Sequence, residues 1–301
     1  MARTVGIGCK SMTGRNISYI PLTATPFRRS DQHREAGIVN PELTKYIRCF
    51  WGSKKPYREI RESIDTSVII PDTCVDIIYQ IDHTESTVTG SFCGINDASF
   101  LYREQARTGH LVSMFAIRFY AWGAYSFSEA SLTDTLNEYC DVPSRFRRLD
   151  DILRPQLLEK QSLEERIAIA EKIFLDQLSA IRQNDSIDNA VKQILLHKGA
   201  LSAKTLARES FISSRQQERL FREYIGITPK KLCNLVRYQC LWNEIISNPN
   251  FRILDAVCKY GYTDQSHLMR EFKRYHTMNI KEAKSFAYKD VANIQYIQRE
   301  S

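Results

Sequence analysis

Two short stretches of this chain carry side chains that can make directed hydrogen bonds, set out at helical spacing. In the first, Arg215, Glu218, Arg219 and Arg222 stand at i, i+3, i+4 and i+7, which is one stripe of a helix. In the second, Gln265, Ser266, Met269, Arg270 and Lys273 face one way by the same rule. These residue types suit the major-groove edges of base pairs. Arg can fork onto guanine, Gln onto adenine, Glu can accept from cytosine, and Met can cover a thymine methyl. Arg222 and Lys273, one turn further along, are better matched to phosphate, as are Lys230 and Lys231. Such contacts fix register and affinity but carry no base information. The competing reading is a plain solvated helix face, with Glu218 pairing to Arg215 or Arg222 along its own helix.

The two stripes are not independent. Leu206–Tyr224 (LARESFISSRQQERLFREY) and Val257–Tyr275 (VCKYGYTDQSHLMREFKRY) lie in register 51 residues apart. Ala207 then faces Cys258, Arg208 faces Lys259, Ser210 faces Gly261 and Phe211 faces Tyr262. Arg219 matches Arg270, Phe221 matches Phe272 and Tyr224 matches Tyr275. Each copy reads as a short apolar helix, a tight turn and a second, capped helix, the layout of a helix-turn-helix. Core positions fall at Leu220, Phe221 and Tyr224 in one copy and at Leu268, Phe272 and Tyr275 in the other. Charge follows the duplication. From Asp185 onward there are 19 basic and 12 acidic residues, whereas the preceding part holds 23 of each. The whole net charge of +7 therefore lies with the repeat, which points to a polyanionic partner there.

The elements that must position these residues are legible from pattern. Helices are expected over Ile187–His197, Leu201–Glu209, Arg215–Tyr224, Pro229–Ile246, Ile253–Tyr260, Gln265–Tyr275 and Ile280–Tyr288. Pro229 sits in a first turn, where proline is tolerated, and Asp264 is placed as an N-cap. Before them, Pro41–Phe127 contains short Ile-, Val-, Tyr- and Phe-rich runs broken by Gly, Pro, Asp and Asn. Tyr46–Trp51, Ser67–Ile70, Val75–Ile81 and Leu111–Tyr120 are examples, and they read as an antiparallel sandwich or small barrel. The stretch 162–181 is helical, with Leu163, Ile167, Ala170, Phe174 and Ile181 along one face. That face caps its own barrel or pairs two copies as a short coiled coil, giving a homodimer. The expected organisation is an arm over 1–37, a sensor domain over 38–184, a DNA-binding domain over 185–290 and a tail over 291–301.

With these motifs in place, residues from about Ser186 to Ser285 resemble the DNA-binding domain of the AraC/XylS family of bacterial transcription regulators. Ile253–Tyr275 carries the strongest likeness. The resemblance implies seven helices, two helix-turn-helix units joined by the long helix from Pro229, and groove-facing roles for Arg215, Glu218, Arg219, Gln265, Ser266, Met269 and Arg270. Double-stranded DNA and RNA polymerase are the partners it implies. The chain departs from the family pattern after Tyr275: where a Gly and then a helix-opening Pro are usual, it has HTMNIKEA. The segment RCFWGS…VIIPDTCVDIIYQI, followed by IRFYAWGAYSF, is similar to a sensor-like domain of cupin-like β-barrel fold. The fold class expected is thus α+β, with an antiparallel cupin-like barrel and flanking helix before an all-α domain.

A barrel of this size holds one small ligand. Trp51, Tyr79, Arg118, Tyr120 and Trp122 are candidate pocket residues for an unidentified small-molecule effector, set against the reading that the tryptophans are core. Asp72 and Asp76 could pair as acid and base but more simply cap turns and strand ends. A thiol- or metal-responsive regulator using Cys49, Cys74 and Cys93 is an alternative, as is a fusion of DNA-repair type. Cys233 and Cys240, seven apart on the long helix, read as core. Catalysis has little support, since there is no GxSxG, HExxH or P-loop, so no enzyme, cofactor or metal is expected. The eight cysteines form no CxxC pair. No run approaches the ~18 apolar residues of a membrane span, and the start is polar and basic. A cytoplasmic, nucleoid-associated protein is the expectation.

Overall fold

Strict alternation along Val75–Ile81 sends Val75, Ile77, Tyr79 and Ile81 to one side of a strand and Asp76, Ile78 and Gln80 to the other. The first set is buried throughout. The computed structural model describes residues 19–25, 33–58, 66–103, 109–210 and 212–288. In it these residues form β6 (Cys74–Asp82). Around β6 the main sheet is ordered β10 (Tyr139–Asp141), β7 (Thr87–Cys93), β6, β9 (Leu111–Tyr120), β3 (Ile47–Ser53) and β2 (His33–Ala36), with β4 (Tyr57–Arg58) also on β9. A smaller sheet joins β1 (Ala24–Thr25), β5 (Thr66–Ile69) and β8 (Phe100–Arg103). All pairings are antiparallel. The described strands pair as two sheets rather than one closed ring. The expected arm is described only at 19–25 and 33–37, and the 291–301 tail lies outside the described residues.

The apolar side of the main sheet is covered by two helices. One was expected: α3 (Leu163–Gln177), opened by a capping box between Ser162 and Glu165. Its stripe packs inward on its own chain, with Phe174 against Phe119 at 5.5 Å and Phe127 at 4.8 Å. Leu163, Ile167, Ala170 and Phe174 are buried there and Ile181 is half-buried. The stripe therefore caps the sheet and leaves no coiled-coil seam for a second copy. The other helix, α2 (Pro143–Leu157), was not anticipated. Pro155 lies inside it and Phe146 breaks its dihedrals (φ −134°, ψ 53°), so its periodicity is interrupted. Phe146 still packs on Phe92 and Phe119, and a fully buried Phe contributes about 1.5–3 kcal/mol. A single turn of helix, α1 (Ala121–Ala124), follows β9.

Among the described residues, seven helices make up the remainder: α4 (Asp185–Leu196), α5 (Ala203–Glu209), α6 (Ser214–Ile225), α7 (Pro229–Ser247), α8 (Ile253–Lys259), α9 (Gln265–His276) and α10 (Ile280–Ala287). Asn184, Ser202, Ser213, Thr228, Asp264 and Asn279 cap six of them by accepting from first-turn amides. The chain's departure from the family pattern after Tyr275 is resolved locally. Thr277 takes the left-handed conformation (φ 62°) that a glycine would take freely, and Asn279 with Glu282 forms a capping box that opens α10.

That local solution generates two predictions. A β-branched residue at positive φ is strained, so Thr277→Gly should raise stability by about 0.5–1 kcal/mol, even after losing the bond from Thr277 Oγ1 to the His276 carbonyl. Urea melts of the two proteins would measure it, and a less stable variant would show the turn to be unstrained. His276 is fully buried among Tyr238, Trp242 and Phe272, and burial depresses its pKa to about 4. Between the ordinary value near ~6.5 and 4, the unfolded chain takes up a proton that the folded chain refuses. Stability should therefore fall by about 3 kcal/mol as pH drops through that window, and His276→Phe should flatten the dependence. Parallel pH slopes for the two proteins would rule out His276 as the source.

Candidate nucleic-acid interface

In each hairpin the first helix is short and its partner amphipathic. On α6, Leu220, Phe221 and Ile225 are buried and Tyr224 is half-buried. On α9, Leu268, Phe272 and Tyr275 are buried. The opposite faces are open: Arg215, Arg219 and Arg222 are exposed on α6, with Glu218 partly so, and Gln265, Ser266, Met269, Arg270 and Lys273 are exposed on α9. Arg219 makes an i,i+4 pair with Glu223 at 3.3 Å, and Glu218 leans toward Arg222 at 3.9 Å. Exposed pairs of this kind are worth about 0–1 kcal/mol, so these side chains are held only lightly. Gln265 donates to the Met269 sulfur at 3.8 Å. The reading stripe therefore sits on the first three turns of each helix.

The repeat register needs one correction. Ser210 N bonds to the Leu206 carbonyl as Tyr260 N bonds to Ala256, and Ile212 N bonds to Ala207 as Tyr262 N bonds to Val257. The first helices are therefore 50 residues apart, not 51, so Ala207 corresponds to Val257 and Ser210 to Tyr260. One extra residue in the second turn, at Thr263, restores the spacing of 51 between the N-caps Ser213 and Asp264. A gapless alignment cannot find a one-residue insertion in a turn, because the longer helices dominate the match.

Several residues that hold this surface were missed. Glu271, at the repeat position of buried Leu220, takes a forked grip from Arg237 of α7 at 2.6 and 2.8 Å and a bond from Tyr262 Oη at 3.1 Å. Burial opposes the Arg237 charge, but the Glu271 bond and charge more than offset it and its pKa is raised. A carboxylate at a core position of a repeat was the available signal. Buried Gln217 stands where the second copy has Leu268. With its amide oriented by its neighbours, it donates to the Ala203 carbonyl and accepts from Ala207 N, tying α5 to α6. Of the candidate phosphate residues, Lys230 is exposed, whereas Lys231 is ion-paired to Asp97 of the sheet region at 2.6 Å.

The candidate effector residues do not all meet. Trp51, Arg118 and Tyr120 share the sheet side opposite Val75, Ile77 and Tyr79. Tyr79 lies on the apolar side, donating to Asp150 at 3.0 Å. Tyr120 and Trp122 stack at 4.9 Å. Across four neighbouring strands runs one row, Cys49–Arg118–Asp76–Cys93. Arg118 is buried between Asp72 and Asp76, and Asp76 also accepts from Trp51 Nε1 at 3.1 Å. The row separates Cys49 from Cys93 by three strand spacings, about 14 Å, too far for a disulfide. Burial raises both thiols to about 12, and raises Cys74 as well. A thiol held protonated is a poor nucleophile, so burial works against reactivity at these three positions. A separate cavity of about 600 Å³ opens between Lys55, His83, Leu111 and Leu158.

Comparison with known proteins finds two matching parts of the chain. Residues 206–285 match the family described as a helix-turn-helix domain, and residues 40–141 match a domain of unknown function (DUF6597). No curated protein matches the chain. Among solved structures it is similar to an AraC-type transcriptional regulator from Chromobacterium violaceum (21% identity, 33% of this chain and 89% of that one, TM-score 0.31). It is also similar to a probable AraC family regulator from Rhodopseudomonas palustris (22%, 33% and 97%, TM-score 0.28). ToxT from Vibrio cholerae spans more of it (11%, 79% and 98%, TM-score 0.39). Among the described residues, no helix is long and apolar enough to cross a membrane. Residues 206–285 thus carry a helix-turn-helix domain, behind a domain of the DUF6597 family over residues 40–141.

Proposed function

We propose that this regulator reads a two-part DNA site, with Arg215, Glu218 and Arg219 of α6 in one major groove and Gln265, Ser266, Met269 and Arg270 of α9 in the next. Arg222, Lys230 and Lys273 contact phosphate, and Lys231 is left out because Asp97 already holds it. The observation that carries the reading is the pair of open, polar faces at equivalent places in a tandem repeat, each backed by a buried aromatic core. Neighbouring grooves on one side of a duplex are about 34 Å apart. The DNA-containing bacterial cytoplasm is the compartment such a protein needs, with RNA polymerase as its partner at a promoter.

The sheet region is proposed to hold a small-molecule effector against the cluster of Trp51, Asp76 and Arg118. Position supports this. Asp72 grips Arg118, and its neighbour Pro71 offers a carbonyl to Gln239 of α7 at 2.6 Å. A ligand that disturbs Arg118 therefore acts one residue from the helix joining the two hairpins.

Both halves of the reading can be tested. Arg270→Ala should cost about 1–3 kcal/mol on a selected site and relax base preference locally. Lys273→Ala should weaken selected and scrambled DNA alike and lower the salt slope by about one unit. Equal losses on both sequences for Arg270→Ala would make it a phosphate clamp. For the effector, a compound that raises the melting temperature by mass action should lose its effect in Trp51→Ala. A shift that survives there but disappears in His83→Ala would move the site to the 600 Å³ cavity.

A further inference from the structure

The sheet region grips both reading helices at the same end. At the last turn of α6, Leu132 N donates to the Glu223 carbonyl at 2.9 Å. The hydroxyls of Ser131 and Thr133 reach the Glu223 and Arg222 carbonyls, each at 3.5 Å. The following Gly226 packs so closely that a Cβ there would collide with Thr135 Oγ1. Tyr125 adds a bond to Glu223 at 3.2 Å and a ring contact with Tyr224 at 4.0 Å. At the last turn of α9, Ser99 Oγ donates to the Tyr275 carbonyl at 2.8 Å.

The two gripping loops, 94–99 and 131–138, are themselves one piece. Asn137 and Asp97 exchange two bonds, side-chain amide to carboxylate at 2.9 Å and Asp97 N to the Asn137 side-chain oxygen at 3.0 Å. Main-chain bonds join Asn137 N to Ile95 and Gly94 N to Glu138. Gly94 lies so tightly on the Thr135 carbonyl that no side chain fits. The second carboxylate oxygen of Asp97 takes Lys231 of α7 at 2.6 Å. Burial opposes the Asp97 charge, but the bonds from Lys231 and Asn137 outweigh it and hold the carboxyl below its ordinary value.

We infer that these loops form a brace, centred on Asp97 and Asn137, that sets the separation of the two reading helices and so the half-site spacing the protein accepts. The inference rests on the proposed role of α6 and α9 in reading DNA. In sequence the two hairpins are joined only through α7. A second connection between their far ends closes a ring, and a closed ring has far less freedom to splay than a chain hinged at each end. The brace holds last-turn carbonyls, whereas the reading stripes begin at the first turns, so it constrains the helices without covering their polar faces. Neither α7 nor the hairpins alone encode this constraint. Asp97 and Asn137 are positioning residues.

The test uses the full chain and duplexes carrying the two selected half-sites at their native separation or moved apart by one base pair. Wild type should lose tenfold or more on the one-base-pair insertion. Asp97→Ala and Asn137→Gly should reduce that ratio to threefold or less, with each half-site still read. Glycine is chosen at 137 because Asn137 has φ 58°, where alanine would add strain. Asp97→Asn, which retains an acceptor for Asn137 but not the Lys231 ion pair, should recover part of the spacing preference. A variant that keeps the wild-type ratio, or that weakens both duplexes in equal proportion, overturns the brace. Wild type indifferent to spacing would instead overturn the two-groove reading on which it rests. Melting temperatures measured in parallel identify a variant that fails to fold, and the second variant then decides.

Discussion

The arrangement depends on the burial of α7 on nearly every side. Leu232, Leu235, Val236, Tyr238, Gln239, Leu241, Trp242 and Ile245 are all buried along its length. A helix buried over most of its circumference cannot stand between two hairpins in water; it needs cover on several faces. One face takes the aromatic group of Phe272, Tyr275 and His276 from the second hairpin. The residues that face the sheet region, Gln239 and Asn243, are polar and one turn apart. Gln239 holds both main-chain groups of Leu22 and the Pro71 carbonyl, and Asn243 donates to the Ile20 carbonyl. A buried amide with its partners supplied fixes register as well as contact, because any slide leaves it unsatisfied. Domain docking in this chain is therefore specified by hydrogen-bond geometry as much as by apolar area.

What was legible in the sequence follows the range of the forces involved. The strands from Ile47, Thr66, Cys74 and Leu111 and the seven described helices after Asn184 show themselves by local periodicity and capping residues, and they lie where pattern placed them. The helix over Pro143–Leu157 did not, because two prolines and a broken Phe146 erase its period while tertiary packing on Phe92 and Phe119 preserves it. The sequence groups Tyr79 with Trp51 and Arg118, although strand parity alone separates it from Asp76, so that signal is there to be read. Asp97, Asn137 and Gln239 were not legible. Each acts through a partner 40 to 217 residues distant, and nothing in local composition marks a polar residue that will find such a partner.

The same contrast explains the departure after Tyr275. A Gly and a Pro are the usual means of stopping one helix and starting the next, because each has the needed dihedral built in. This chain reaches the same geometry by hydrogen bonding: Asn279 and Glu282 cap the new helix from its side chains, while Thr277 takes the positive φ with its hydroxyl on the His276 carbonyl. Family pattern and local physics are separate constraints here, and α10 packs Ala283 and Ala287 into the core regardless.

The docking of an unrepeated sheet region onto a repeated helical one raises a matching problem, since no internal symmetry in the sheet mirrors the tandem hairpins. The backbone provides the solution. Every helix ends in carbonyls without intrahelical partners, whatever its sequence, and α6 and α9 present theirs at nearly equivalent positions, Glu223 and Tyr275. Two loops of different sequence can therefore meet the two copies by offering donors alone: a main-chain amide and two hydroxyls to one, a single hydroxyl to the other. The negative end of each helix dipole favours the same donors. Because the handles are main-chain groups, the exposed side chains of α6 and α9 stay outside the docking contact apart from Glu223. Residues such as Arg215 and Gln265 can then differ between the two helices without loosening the frame that holds them.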